Sequence, residues 1–166
     1  MEILSATEAD LEDAQAIYAY HVLHGTGTFE EVPPSLEEFM QRYRAITEGG
    51  YAWLLARDAS GCLGFGYYGP FRARSAYRFT VEDSVYVREG VRGQGVGKAI
   101  VAALVAHATQ AGFREMLALI GDSENVASVG VHASLGFQPV GTMRRVGYKL
   151  DRWLDVVTMQ KTLVRN

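Results

Sequence analysis

Cysteine is nearly absent: Cys62 is the only one in 166 residues. A single thiol excludes an internal disulfide and a cysteine-rich zinc site, and it suits a reducing compartment. Long apolar runs are missing as well. No stretch approaches the ~20 residues that cross a bilayer, and the opening MEILSATEADLEDA carries acids where a signal peptide needs a basic start and an apolar run. A cytoplasmic protein without membrane association is expected. There is no repeat, no low-complexity tract and no Pro/Ser linker, so residues 1–166 are expected to form one domain. Catalytic signatures are also scarce. His21 and His24 are three apart with no third ligand at suitable spacing, no His-Glu-x-x-His occurs, and no Gly-x-Ser-x-Gly elbow is present, so no metal is expected.

What is present is globular. Apolar residues make up 48% and charged residues 21%, which excludes disorder. The net charge of −3 argues against a general nucleic-acid partner. Its distribution is uneven: residues 1–50 hold ten acids against Arg42 and Arg44, a net of −8, and residues 51–166 hold nine acids against fourteen bases, a net of +5. That excess suits one anionic ligand held by the later part, or simply solvated faces. Glycine is over-represented, 18 of 166, clustering at 61–69, 90–97 and 112–147.

The hydrophobic periodicity predicts a strand near 3–5, then a helix capped by Thr7 with Leu11, Ala14, Tyr18 and Val22 on its inner face. Pro33-Pro34 interrupts the chain, and Ser35 with Glu38 forms a capping box for a second helix carrying Leu36, Phe39, Met40 and Tyr43. Runs 51–57 and 62–68 flank Asp58-Ala-Ser-Gly61 as a hairpin. In 79–87, Phe79, Val81, Val85 and Val87 share one parity, and Thr80, Glu82, Ser84 and Tyr86 the other. Asp83 breaks the apolar parity and is expected to mark a bulge. A glycine loop, a helix closed by Gly112 and the apolar strand 116–120 then make a right-handed βαβ unit. A helix over 127–134 and two strand-like runs, 137–144 and 153–163, finish the chain. The fold class is α+β, a mixed sheet with about four helices.

The loop itself, Arg92-Gly93-Gln94-Gly95-Val96-Gly97 followed by Lys98, brings backbone N–H groups to a helix start, where the dipole favours anions. It is not a P-loop, because Arg92 replaces the first glycine and Ala99 the hydroxyl, and it is not G-x-G-x-x-G, because the glycines fall at alternate positions. A tight turn needing positive φ is the plainer reading.

The pattern Arg/Gln-x-x-Gly-x-Gly/Ala resembles the acetyl-CoA pyrophosphate loop of the GNAT N-acetyltransferase superfamily. Asn125, His132 and Leu135-Gly136-Phe137 resemble that family's later Asn…Tyr-x-x-x-Gly-Phe segment, with His132 where many members have Tyr. The runs 80–87, 119–121, 131–137, Gly147-Tyr-Lys and Arg152-Trp-Leu-Asp155, with Thr28-Phe29-Glu30, are similar to the phosphinothricin and methionine sulfone/sulfoximine branch. The resemblance implies a GNAT-like, mostly antiparallel twisted sheet, acetyl-CoA as co-substrate, a homodimer, for which run 153–163 offers an edge, and a small acceptor bearing an α-amine and α-carboxylate. It also implies Glu82 as the base and His132 as a second catalytic residue. Val85, Tyr86, Val87, the loop 92–98 (Arg92, Gly93, Gln94, Gly95, Val96, Gly97, Lys98) and Asn125 would hold the cofactor. Phe29, Arg72, Arg74, Glu82 and Ser84 would hold the acceptor, Arg72 leading as carboxylate clamp because guanidinium pairs bidentately with such groups. Another small amine, a peptide N-terminus, or a non-catalytic acetyl-CoA-binding module remain alternatives at this stage.

Overall fold

A computed structural model describes residues 1–164. In chain order the elements are β1 (Glu2–Ser5), α1 (Leu11–His24), α2 (Leu36–Glu48), β2 (Trp53–Asp58), β3 (Gly61–Pro70), β4 (Thr80–Val87), α3 (Val96–Gln110), β5 (Glu115–Gly121), α4 (Val126–Ser134), β6 (Gln138–Lys149) and β7 (Arg152–Thr162). Short 3-10 turns occupy Glu8–Asp10 and Ser75–Tyr77. Thr7 therefore opens a 3-10 turn rather than the helix directly; its N–H and hydroxyl both donate to the Asp10 carboxylate, at 2.8 and 2.7 Å. The capping box at α2 forms as expected, Ser35 and Glu38 exchanging backbone-to-side-chain bonds of 2.8 and 3.1 Å.

The strands join in one sheet of order β1-β2-β3-β4-β5-β7-β6. Among the described residues only β4 and β5 are parallel, because α3 carries the chain back between them; every other neighbour is antiparallel. Helices α1 and α2 cover one face, packing Leu11, Tyr18, Val22 and Phe39 on Trp53, Leu55 and Phe65. Ile100, Val101 and Leu104 of α3 cover the other, against Val81, Met116 and Ala118. Gly66 shows how closely α3 lies: a Cβ there would stand 2.7 Å from Ile100 Cγ2 and 2.8 Å from the Ser84 carbonyl. This accounts for glycine inside β3.

Two expectations are corrected. β4 keeps an unbroken register with β3 from Val81 to Val87, so Asp83 marks no bulge. Its charge is accommodated by a buried partner, described below, instead of by a backbone irregularity. The run 153–163 is not an edge either. β7 lies between β5 and β6, since the tight Leu150-Asp151 turn folds β6 back along its outer side, and β6 becomes the edge.

Leu104 is fully buried beneath α3. Leu104→Ala is expected to lower unfolding stability by about 2–5 kcal/mol, measured by urea denaturation at unchanged m-value; a loss under about 1 kcal/mol would contradict this packing.

Candidate active site

The site begins where two strands part. β5 pairs with β4 only from Thr80 to Asp83, although β4 continues to Val87 and β5 to Gly121. The Arg88 N–H bonds the Leu63 carbonyl at 2.8 Å and the Phe71 N–H bonds the Thr80 carbonyl at 3.2 Å. Even-numbered residues of β4 therefore bond β3, and the polar backbone groups of Val85 and Val87 turn into the gap. There the Val87 carbonyl accepts a 2.8 Å bond from His21 Nε2. The N–H groups of Val85 and Val87 face the opening. Tyr86 differs: its backbone is paired with Phe65 of β3, and its ring stands edge-on to Tyr18 at 4.9 Å.

At the mouth of the gap lies the turn 88–97. Gly90, Gly93 and Gly95 have φ of +84°, +79° and +81°, the left-handed region that other residues adopt reluctantly. Gly95 caps α3 without a side-chain bond, and the first turn of α3 holds no acid, whereas α1 and α2 begin with acids. Its leading N–H groups and dipole are therefore free to serve an anion. A Cβ at Gly97 would lie 3.4 Å from Val87 Cγ2, which places this helix start beside the end of β4. Val96 is buried and anchors the helix, so it offers backbone rather than side chain. Arg92, Gln94 and Lys98 are exposed, with Arg92 3.3 Å from Glu89. Asn125 caps α4, its Oδ1 accepting from the Ser128 N–H at 3.2 Å. These residues fit an extended, pyrophosphate-bearing ligand running from the turn into the gap.

Glu82 stands on the face toward α1 and α2, with Ser84 and Tyr86, while Val81 and Asp83 face α3 and α4. Burial, and then the neighbouring Asp83 charge, push its carboxyl above the ordinary carboxylate range. Among the described residues the Glu82 carboxylate has no hydrogen-bond or ion-pair partner. Ser84 lies beside the phenols of Tyr67 and Tyr86. The loop between α1 and α2 completes this face: Tyr18 bonds Thr28 at 3.0 Å and also the Glu30 carboxylate, which takes Arg42 bidentately at 2.6 and 2.8 Å. Glu30 is held below its ordinary pKa by Arg42.

Arg72 and Arg74 lie in the exposed segment leading into β4, tied to its start by the Phe71–Thr80 bond. The Arg72 guanidinium rests 5.0 Å from the Phe71 ring centroid and 5.7 Å from that of Tyr77. Among the described residues neither arginine has a carboxylate partner.

His132 is 2% exposed and does not stand free. Nδ1 donates to the Ser128 carbonyl at 2.8 Å, and Nε2 lies 3.0 Å from Asp83 Oδ2. With an acceptor at each nitrogen, the doubly protonated ring is the form that this site favours. Burial pushes its pKa down, but the hydrogen bond and charge of Asp83 and the Ser128 carbonyl outweigh this and raise it. Sequence reasoning missed Asp83 as the partner, although a lone acid on the apolar parity was its signal. It also missed the Tyr18 network and Asp122, a buried hub that receives Thr26 at 2.8 Å and Arg152 at 2.5 Å.

A helix start bare of acids, opening onto strand amides released from their sheet, is the architecture of an acyltransferase that takes its acyl group from a coenzyme A thioester. The chain belongs to the GNAT acetyltransferase family, whose profile matches residues 3–158. It is 44% identical to a phosphinothricin N-acetyltransferase of Alcaligenes faecalis over 93% of this chain and 78% of that one. It is 41% identical to an L-methionine sulfoximine/L-methionine sulfone acetyltransferase of Pseudomonas paraeruginosa, over 97% of this chain and 94% of that one. Among solved structures, a phosphinothricin acetyltransferase of Sinorhizobium meliloti in complex with AcCoA superposes with a TM-score of 0.94 at 42% identity, over 98% of this chain and 88% of the other. A structure from Salmonella typhimurium with its cofactor acetyl-CoA gives 0.95 at 33% identity, over 99% and 95%.

The Asp83–His132 pair predicts a pH dependence of stability. Unfolded, His132 titrates near ~6.5; folded, it holds its proton to higher pH. The stabilisation is complete below about 6.5 and is lost as pH rises through the folded value. His132→Asn should cost about 3–5 kcal/mol at pH 6, because it strands a buried carboxylate, and should flatten this pH slope in thermal melts. An unchanged slope would contradict the imidazolium assignment.

Proposed function

We propose that the enzyme moves the acetyl group of acetyl-CoA directly to the α-amine of a small amino-acid analogue of the phosphinothricin, methionine sulfone or methionine sulfoximine type. Acetyl-CoA supplies an activated thioester carbonyl. The chain's own residues do the rest. The α3 start and loop 92–98 seat the diphosphate, and the N–H groups of Val85 and Val87 hold the extended arm and polarise the carbonyl. Asn125 borders the same gap. Glu82 binds the acceptor amine and takes its proton, Ser84 and Phe29 help to shape the acceptor pocket, and Arg72 with Arg74 receives the carboxylate.

One observation carries this reading: a half-buried carboxylate with no cationic partner among the described residues, placed on β4 just before that strand parts from β5. An amine supplies the missing cation, and a carboxyl raised toward neutrality is better matched to accept its proton. Acceptors with an α-carboxylate are supported by the names of the relatives and by the unpartnered arginines, which disfavour polycations. His132 is assigned a positioning role through Asp83, in place of direct proton transfer, because both ring nitrogens are engaged.

A homodimer is part of the proposal. The edge strand β6 is twelve residues long and exposes Val140, Met143, Val146 and Tyr148, with Trp153 beside Tyr148 at 5.1 Å. A cytoplasmic setting is supported by the single buried thiol of Cys62 and the use of acetyl-CoA.

Thiol release with phosphinothricin, methionine sulfone, methionine sulfoximine and a polyamine tests the function. The first three are expected to be turned over, and activity confined to the polyamine would refute the acceptor assignment. Glu82→Gln is expected to keep acetyl-CoA affinity and lose about 10²–10⁴ in kcat, and the wild-type acid limb of kcat/KM should lie above the ordinary carboxylate pKa near ~4.3. The mass in dilute solution is expected to be that of a dimer; a monomer would remove that part.

A further inference from the structure

The loop between α1 and α2 bridges the gap between β4 and β5. On the β4 side it is tied through Tyr18, which touches Tyr86 and bonds Thr28. On the far side the anchoring comes from later parts of the chain. The Thr26 hydroxyl donates to Asp122 at the end of β5, and the same carboxylate oxygen accepts from Arg152 of β7. Lys149, at the end of β6 and only 2% exposed, reaches beneath the loop and donates to the carbonyls of Thr28 at 2.8 Å and His21 at 3.4 Å.

Between these bonds lies Phe29. Its ring occupies space that a side chain at either of two glycines would need: a Cβ at Gly147 would be 2.3 Å from Cε2, and one at Gly121 would be 2.9 Å from Cε1 and 2.4 Å from the Thr26 carbonyl. The hairpin that delivers Gly147 and Lys149 turns through Leu150 and Asp151 at φ of +52° and +57°, a conformation non-glycine residues hold only where their surroundings enforce it. Here the flanking Lys149 and Arg152 are both fastened, to the loop carbonyls and to Asp122.

We propose that Gly121, Gly147 and the Lys149 ammonium form a seat that pins Phe29 and the 26–31 loop across the gap, making the β6–β7 hairpin tip a specificity determinant for the acceptor and not for the acetyl donor. This rests on the reading above that Phe29 walls the acceptor pocket. Gly147→Ala displaces the ring and Lys149→Met releases the loop by a different route, so a folding defect in one leaves the other informative.

Each variant is assayed for steady-state KM of methionine sulfone and of acetyl-CoA, and for amide hydrogen exchange over 26–31. The expected result is an acceptor KM raised at least tenfold, an acetyl-CoA KM within twofold of wild type, and exchange over 26–31 at least tenfold faster. A parallel rise in the acetyl-CoA KM, or an unchanged acceptor KM, would overturn the proposal. If the wild type acetylates no amine, the functional reading fails by itself. The exchange measurement then still decides the seat: faster exchange in the variants upholds it, and unchanged exchange overturns it.

Discussion

The separation of β4 from β5 after Asp83 is the constraint on which the rest of the structure depends. A continuous ladder would consume the N–H groups of Val85 and Val87 in sheet pairing and leave nothing for an extended ligand. Freed, they turn toward a helix start that is itself without a side-chain cap. The opening has to be held against two strands whose natural tendency is to pair. His21 takes the Val87 carbonyl on one flank, and the Thr26–Asp122 contact fastens the α1–α2 loop to the end of β5 on the other.

Electrostatics is arranged around the same place. Acids begin α1 and α2, where they complement the helix dipoles, and none begins α3, whose N-terminus remains positive for an anionic ligand. The carboxylates near the gap are divided by partner. Asp83 is paired with His132, Glu30 with Arg42, and Asp122 with Arg152, whereas Glu82 alone of these four has no partner among the described residues. Burying an unpaired carboxylate is costly, and under the proposed function the substrate amine supplies the cation that this position lacks. The distribution makes chemical sense of why four acids lie so near one another yet only one is available.

Much of this was legible before any coordinates. The alternation through β4 separated Glu82 from the apolar parity, the alternate spacing of Gly93, Gly95 and Gly97 excluded the dinucleotide loop as Arg92 and Ala99 excluded the P-loop, and Ser35 with Glu38 announced the start of α2. The errors came from one source. Asp83 is an exception on the apolar face, and a bulge is the local explanation for it; the true explanation is a histidine 49 residues later. The 153–163 run has the composition of an edge strand, and only the returning β6 makes it an interior one. Gly147 and Lys149 belong to a run that resembles the family, but no periodicity or capping pattern shows their role, because what they contact lies more than a hundred residues earlier.

Sequence by itself thus determined the elements, the glycine turn and the polar identity of position 82, since alternation, capping and left-handed turns are properties of neighbours along the backbone. Tertiary structure alone decided where the two central strands part, which acid goes unpaired, and that a phenylalanine from the first third of the chain rests on glycines from the last. Those outcomes depend on contacts between residues far apart in sequence, whose energies exist only once the sheet has assembled and water has been excluded from between them.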